Sequence, residues 1–192
     1  MLKTLPGSTI EADITQDGIV DSIMRPMFMG GGLMLSQISQ ISGLEPYIIQ
    51  NWVKRGYLAP PVGKKYTRSQ LCRILHINML RESMQIEKIV QLLTYINGSL
   101  SDSSDDTIDD SDMYVYFVKL AAKASNLQDI NLNRLDEILD SVLENYREPY
   151  SGARKRLKNV LKTMFYGYTS AELKKDIDKM MSKFDTVRSD LA

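Results

Sequence analysis

Cysteine and histidine each occur once in this 192-residue chain, at Cys72 and His76, and the two scarcities remove whole classes of chemistry. One cysteine cannot build an internal disulfide framework, and it fits a reducing compartment. Cys72 and His76 lie four residues apart on one helical face, a spacing that suits two metal ligands. No other Cys or His completes a soft site, so a satisfied core pair is expected, with no metal and no cofactor. Ser-His-Asp, Walker and dinucleotide patterns are also missing, and no enzymatic activity is expected. The apolar run Ile23 to Leu35 is broken by Arg25, Pro26 and Gly30-Gly31-Gly32, so it suits neither a signal core nor a membrane span. No strand pattern precedes the glycine triplet and no Lys-Ser/Thr follows it, which leaves a joint rather than a phosphate loop. A cytoplasmic protein with no membrane partner is expected.

Net charge is also lacking: 24 basic residues balance 24 acidic ones. Its distribution is uneven. Between Leu35 and Ile96 stand Lys54, Arg55, Lys64, Lys65, Arg68, Arg73, Arg81 and Lys88 against Glu45, Glu82 and Glu87. Asn97 to Tyr150 is strongly acidic, and the remainder from Ser151 is basic again. A field is felt within about a Debye length, roughly 8–10 Å, so local excess matters more than the total.

The stretch Leu35 to Ile96 carries the clearest organisation. Leu35, Ile38 and Ile41 share a face of a short helix that Gly43 ends with a left-handed turn. Pro46 suits the first turn of a second helix, in which Ile49, Trp52 and Val53 point inward and Tyr47, Gln50, Asn51 and Lys54 outward. Gly56 stops it. Pro60-Pro61 and Gly63 then predict a short β-hairpin with Lys64-Lys65 at or near its tip. Thr67 with Gln70 forms a capping box, opening a helix through Leu71, Ile74, Leu75 and Asn78, and a further helix carries Ile86 to Ile96. A helix pair followed by a cationic hairpin is how a small domain enters one DNA groove and clamps the adjacent backbone.

That chemistry assigns roles. The amides of Gln50 and Asn51 can pair bidentately with an adenine edge, and Lys54 can reach a guanine or a phosphate. Tyr47 can meet a phosphate or a thymine methyl. Lys64, Lys65 and Arg68 suit phosphates, since ammonium groups on a hairpin act as point charges. Tyr66 can pack its ring on the core and offer its hydroxyl outward, and Arg55 is a further phosphate candidate.

Residues 1–34 read as an arm with a short helix near Ile19 to Met24, and residues 35–98 as the DNA-binding unit. Ser99 to Asp112, rich in Ser and Asp, predicts an exposed acidic linker. It lacks the Asp-x-Asp-x-Asp-Gly frame of a calcium loop. Residues 113–192 predict four helices: Met113 to Ser125, Leu132 to Tyr146, Ser151 to Tyr166 and Ser170 to Arg188, the last opened by Thr169 and Glu172 as a second capping box. Leu173, Ile177, Met180, Phe184, Val187 and Leu191 form a narrow heptad seam on it. The seam is expected to lie on the chain's own bundle, with pairing to a partner chain as the alternative.

Two stretches resemble the MerR pattern: Gly43-Leu-Glu-Pro-Tyr-Ile-Ile-Gln-Asn-Trp-Val-Lys-Arg-Gly-Tyr-Leu-Ala-Pro-Pro, and Lys65-Tyr-Thr-Arg-Ser-Gln-Leu-Cys-Arg-Ile-Leu. Leu80-Arg-Glu and Ile86-Glu-Lys-Ile do so too. Nearly the whole chain is similar to the bacterial domain of unknown function eighteen-thirty-six, whose members join a MerR-like winged helix to a helical half. The resemblance implies a mainly α fold, with a MerR-like winged helix-turn-helix and short β-hairpin wing followed by a helical bundle. It also implies that Gln50 and Lys54 contact DNA and that Lys64, Lys65 and Tyr66 form the wing. The long coiled coil and metal-binding cysteines of MerR are missing, so neither its dimer geometry nor metal sensing carries over.

The reading is a sequence-specific transcriptional regulator of double-stranded DNA, working as a homodimer because one such module buries only on the order of 600–1,000 Å². The alternative is a protein-interaction module whose basic surface is masked by the acidic linker. A small-molecule effector in the helical half is a third partner to consider, with Tyr114, Tyr116, Tyr146, Tyr150, Phe165, Tyr166 and Tyr168 as candidate lining. Ordinary packing is the commoner use of such residues.

Overall fold

The computed structural model of the chain describes residues 3–98, 107–124 and 132–189. It is mainly helical. Strands β1 (Lys3–Thr4) and β2 (Glu11–Ala12) pair antiparallel. Helix α1 (Ile19–Phe28) follows, one turn longer than its sequence pattern suggested. Strand β3 (Leu33–Met34) runs straight into α2 (Leu35–Ser42), and α3 spans Pro46–Lys54. Strand β4 (Lys65–Tyr66) returns to pair antiparallel with β3, setting Leu33 opposite Tyr66 and Met34 opposite Lys65. Then come α4 (Arg68–Leu80), α5 (Ile86–Asn97), α6 (Asp110–Ala124), α7 (Leu132–Val142) and α8 (Ala153–Ser189). Among the described residues no helix is long and apolar enough to cross a membrane.

Helix α4 is the hub. Leu71, Cys72, Arg73, Ile74, Leu75, His76 and Ile77 are all buried in succession, the signature of a helix enclosed on every side rather than laid on a surface. Its start follows the local signal: Thr67 Oγ1 accepts from the Gln70 backbone N–H at 3.2 Å, and Gln70 Oε1 accepts from the Thr67 N–H at 2.8 Å. It packs on α6 through Met113, Tyr114 and Phe117 and also meets α2, α5 and α8. One buried cluster runs from Leu5 and Met24 through α4 to Phe165, so the segments expected to be separate units share a core. The N-terminal arm belongs to it. Gly7, at φ +73°, lies so close to α4 that a Cβ would meet Leu75 O at 2.2 Å, and Asn78 Nδ2 donates to both Gly7 O and Ser42 O at 2.8 Å.

Enclosing α4 buries a guanidinium. Arg73 Nη1 lies 3.2 Å from Asp110 Oδ2 and its Nε donates to Tyr57 O at 3.0 Å, while His76 Nδ1 stands 3.8 Å from Asp110 Oδ1. Burial by itself raises the Asp110 carboxyl. The imidazole, near enough for charge contact but beyond a hydrogen bond, and the guanidinium outweigh that and hold it below the usual carboxylate range. His76 is buried as expected but not satisfied: it stands beside Asp110, and neither ring nitrogen has a hydrogen-bond partner among the described residues. Cys72 instead points its Sγ at Met24 Sδ, 3.8 Å away, and burial pushes its thiol well up.

Three expectations are corrected. The acidic linker does not reach Asp112: Thr107, Ile108 and Asp110 are buried and α6 already begins at Asp110, because Arg73 needs a carboxylate inside the core. Residues 99–106 of that linker lie outside the described residues. The two helices expected between Ser151 and Arg188 are one, α8, with the second capping box in mid-helix. No proline interrupts it, and Gly167 serves close packing rather than a break, since a Cβ there would lie 2.9 Å from Leu80 Cδ2. The described part of the heptad seam on α8, Leu173 to Phe184, does not lie on the bundle either, while the Val187 side chain and Leu191 lie outside the described residues. From Leu173 to Phe184 every residue is exposed, because α8 outruns the helices it packs against.

Removing one partner of a buried charge pair costs about 3–5 kcal/mol, because the other is left uncompensated. Asp110→Ala should therefore lower unfolding free energy by an amount of that order in a urea titration. The lowered carboxyl predicts a contribution to stability fully present above the unfolded pKa of about 3.9 and lost as pH falls through the native value. An Asp110→Ala protein as stable as the parent at neutral pH would show that the pair does not hold α4 to α6.

Candidate nucleic-acid interface

Gly43, left-handed at φ +68°, ends α2 and turns the chain by two residues into Pro46, which starts α3. The turn is tied from within. Ser39 Oγ donates to Leu44 O at 2.6 Å, and Ser42 Oγ accepts from the Leu44 N–H at 3.3 Å. With Ile49 and Trp52 buried, the outer face of α3 is fixed: Tyr47, 68% exposed, stands there with Gln50, Asn51 and Lys54, all exposed. Among the described residues, no side-chain hydrogen bond or ion pair within the chain engages these four.

The hairpin after α3 closes on two residues. Val62 N–H donates to Lys65 O at 3.1 Å and Lys65 N–H to Val62 O at 3.0 Å, with Gly63 at φ +56° and Lys64 at φ +64° between them. Positive φ at both central positions is a type I′ turn, whose twist matches the strands it joins. Lys64 is the sole described non-glycine residue in that region of backbone space, so the tip of the hairpin is an exposed ammonium. Gln70 Nε2 holds the segment leading into the turn, donating to Ala59 O at 2.9 Å and Pro60 O at 3.1 Å. The return strand is pressed on the glycine-rich loop. Lys65 Nζ donates to Gly30 O at 2.7 Å, and Gly32, at φ +120°, sits where a Cβ would meet Tyr66 O at 2.9 Å.

The structure leaves some of the sequence candidates exposed and commits others to partners within the chain. Among the described residues, Tyr47, Gln50, Asn51, Lys54 and Lys64 have no side-chain hydrogen bond or ion pair. Arg55 Nη2 lies 3.1 Å from Glu87 Oε1, with its guanidinium 4.9 Å over the Tyr57 ring, and Tyr57 OH donates to the same carboxylate at 3.2 Å. The hydrogen bonds from its own backbone N–H and from Tyr57 hold the exposed Glu87 carboxyl below its usual range. Arg68 Nη2 reaches Asp21 Oδ1 on α1 at 2.6 Å. Tyr66 is buried as a core ring, and burial raises its phenol. Asp21, Glu87 and the Gly30 carbonyl were not singled out from sequence, since each lies 30 or more residues from its partner. Of the eight cations between Leu35 and Ile96, only Lys54, Lys64, Lys65 and Lys88 have no carboxylate within 4 Å among the described residues. The basic surface is therefore about half of what the residue count suggested.

The aromatic residues considered as an effector lining mostly tie elements together. Tyr114 OH donates to Pro6 O at 2.7 Å, Tyr146 OH to Thr107 O at 2.6 Å, and Tyr150 OH lies 2.6 Å from Thr107 Oγ1. Tyr168 stands edge-on to Phe117 at 5.6 Å. Phe165 and Tyr168 also line a cleft of about 1,020 Å³ between the β1–β2 hairpin, the end of α4 and α8.

Residues 30–117 match the family model of a domain of unknown function (DUF1836). That span runs from the glycine-rich loop into α6 and contains both the α3 face and the buried Arg73–Asp110 pair. An uncharacterized protein of Bacillus subtilis (strain 168), YkrK, is 33% identical over 78 residues, which cover 38% of this chain and 34% of that protein. The match thus spans about a third of that curated relative's length. No solved structure matches the chain.

Gly32 is the backbone position on which the hairpin's seat depends. Gly32→Ala should destabilise the protein by roughly 1–3 kcal/mol, through strained backbone and the clash with Tyr66 O. Thermal unfolding checks it, and a Gly32→Ala protein with an unchanged midpoint would mean that β3 and β4 are not held in this register.

Proposed function

We propose that the chain is a sequence-specific regulator that binds double-stranded DNA, with α3 in the major groove and the hairpin tip on the neighbouring backbone. The observation that carries this reading is the outer face of α3. A tyrosine, two amides and a lysine stand exposed and unengaged along it, while the opposite face is locked into the core. Amides pair with adenine edges and lysine with guanine or phosphate, so the face carries readout chemistry that the fold does not use.

The element order supports a MerR-like winged helix-turn-helix. A strand enters α2, a left-handed glycine turn leads to α3, and a hairpin after α3 returns to pair with that entering strand. In this reading Lys64 is the wing's phosphate contact and Lys65 a second, still exposed while bonded to Gly30 O. Arg55 and Arg68 would first have to leave Glu87 and Asp21, so they steady the module rather than lead the contact. The role is recognition, with no catalytic step.

Each phosphate contact contributes close to one unit of salt slope. Selected duplexes titrated at several ionic strengths should show steep salt dependence, and Lys54→Ala with Lys64→Gly should reduce the slope by about two. Glycine at position 64 keeps the left-handed turn, so the substitution removes charge without disturbing the hairpin. Gln50→Ala should weaken discrimination at one base position by about 1–3 kcal/mol. Binding indifferent to salt and to these substitutions would reject the reading and favour a protein-interaction module instead.

A further inference from the structure

Helix α8 leaves the bundle with an apolar face that nothing among the described residues covers. Leu173 and Ile177 are each 58% exposed, Met180 61%, Met181 54% and Phe184 66%. Leu173, Ile177, Met180 and Phe184 alternate by four and three residues, the repeat of a coiled-coil seam rather than of a solvated surface. Large exposed apolar patches mark interaction sites, and a short helical extension gains little from its own backbone.

We propose that this face binds the same face of a second copy of the chain, as an antiparallel helix pair centred between Asp178 and Lys179. The charges beside the seam select both the partner and the register. With Ile177 and Phe184 at core a positions and Leu173 and Met180 at d, Asp176 and Lys183 fall at flanking g positions and Lys174 and Met181 at e. An antiparallel pair brings g against g and e against e. In the register that sets Ile177 on Met180 and Phe184 on Leu173 of the partner, Asp176 of each copy meets Lys183 of the other. Two ion pairs form by symmetry. Sliding one heptad in one direction sets Lys183 against its own copy, and sliding in the other sets Asp176 against Asp176 and Lys174 against Lys174. A parallel, in-register pair instead places Asp176 beside Met181 and forms no ion pair from it. Only the first arrangement satisfies both the seam and the charges, and it is isologous, as a two-fold dimer requires.

The flanking charges are available. Among the described residues Asp176 has only a 3.5 Å contact with Lys179 one turn away, and both side chains are more than half exposed. The paired seams supply a total on the order of 1,000 Å², the low end for a specific interface, so a reversible dimer is expected. The inference does not depend on DNA binding.

Sedimentation of the full chain from about 1 µM to about 1 mM tests it, a range that spans weak to moderate affinities. The parent should pass from monomer towards dimer as concentration rises, and Ile177→Glu should stay monomeric with an unchanged circular dichroism spectrum, since position 177 is outside the core. Asp176→Lys alone and Lys183→Asp alone should each weaken self-association at least tenfold. The doubly reversed protein, Asp176→Lys with Lys183→Asp, should recover it, and the two single variants should associate when mixed. A parent that is monomeric throughout, or a dimer indifferent to Ile177→Glu, would overturn the proposal. Failure of the double reversal to restore pairing would overturn the register.

Discussion

A guanidinium buried on α4 has to be matched by a carboxylate, and that carboxylate comes from α6. The Arg73–Asp110 pair joins the residues around the α2–α3 turn and hairpin to the helical half more specifically than apolar contact can. Hydrophobic burial tolerates small slides between helices. A buried ion pair with a further bond from Arg73 to Tyr57 O does not, because any slide leaves a charge unmatched in a medium that screens it poorly. The pair therefore sets how α4 sits on α6, and α4 sets everything that leans on it: the Gly7 loop, the α2 C-terminus through Asn78, and the start of the hairpin through Gln70.

From that frame the proposed reading face follows. Trp52 and Ile49 are anchored in the core, so α3 has one rotation about its axis and one outward set of side chains. The hairpin is held on both sides, by Gln70 before the turn and by β3 with the glycine-rich loop after it. What remains unengaged is the outer row of α3 and the ammonium at the turn. A fold that ties down Arg55, Arg68 and Tyr66 while leaving these groups free of partners among the described residues confines the proposed recognition chemistry to a narrower surface than a basic-residue count implies.

Much of this was legible where the signal is local. Gly43 and Pro46 mark the α2–α3 turn, Thr67 and Gln70 announce α4, and the spacing of Ile49 and Trp52 orients α3, because each depends on neighbours within a turn or two. Longer-range facts were not. The pairing of Arg68 with Asp21 spans 47 residues and that of Lys65 with Gly30 spans 35, so both lysine and arginine counted as free charge. Asp110 looked like one more linker acid, although the unbroken apolar run around Arg73 already demanded a buried counter-charge. Thr169 and Glu172 carry the local signature of a helix start, and Gly167 that of a break. The contact of Gly167 with Leu80 is tertiary, and it keeps α8 continuous past both signals.

The central claim is that the outer row of α3 and the hairpin tip meet duplex DNA while α4 and α6 hold them in place. Amide hydrogen exchange of the full chain, with and without a selected duplex, addresses it most directly. The account predicts new protection concentrated at residues 45–55 and 60–67, with the amides of the buried helix α4 unchanged. Protection confined to α7 and α8, or none anywhere at saturating duplex, would contradict it.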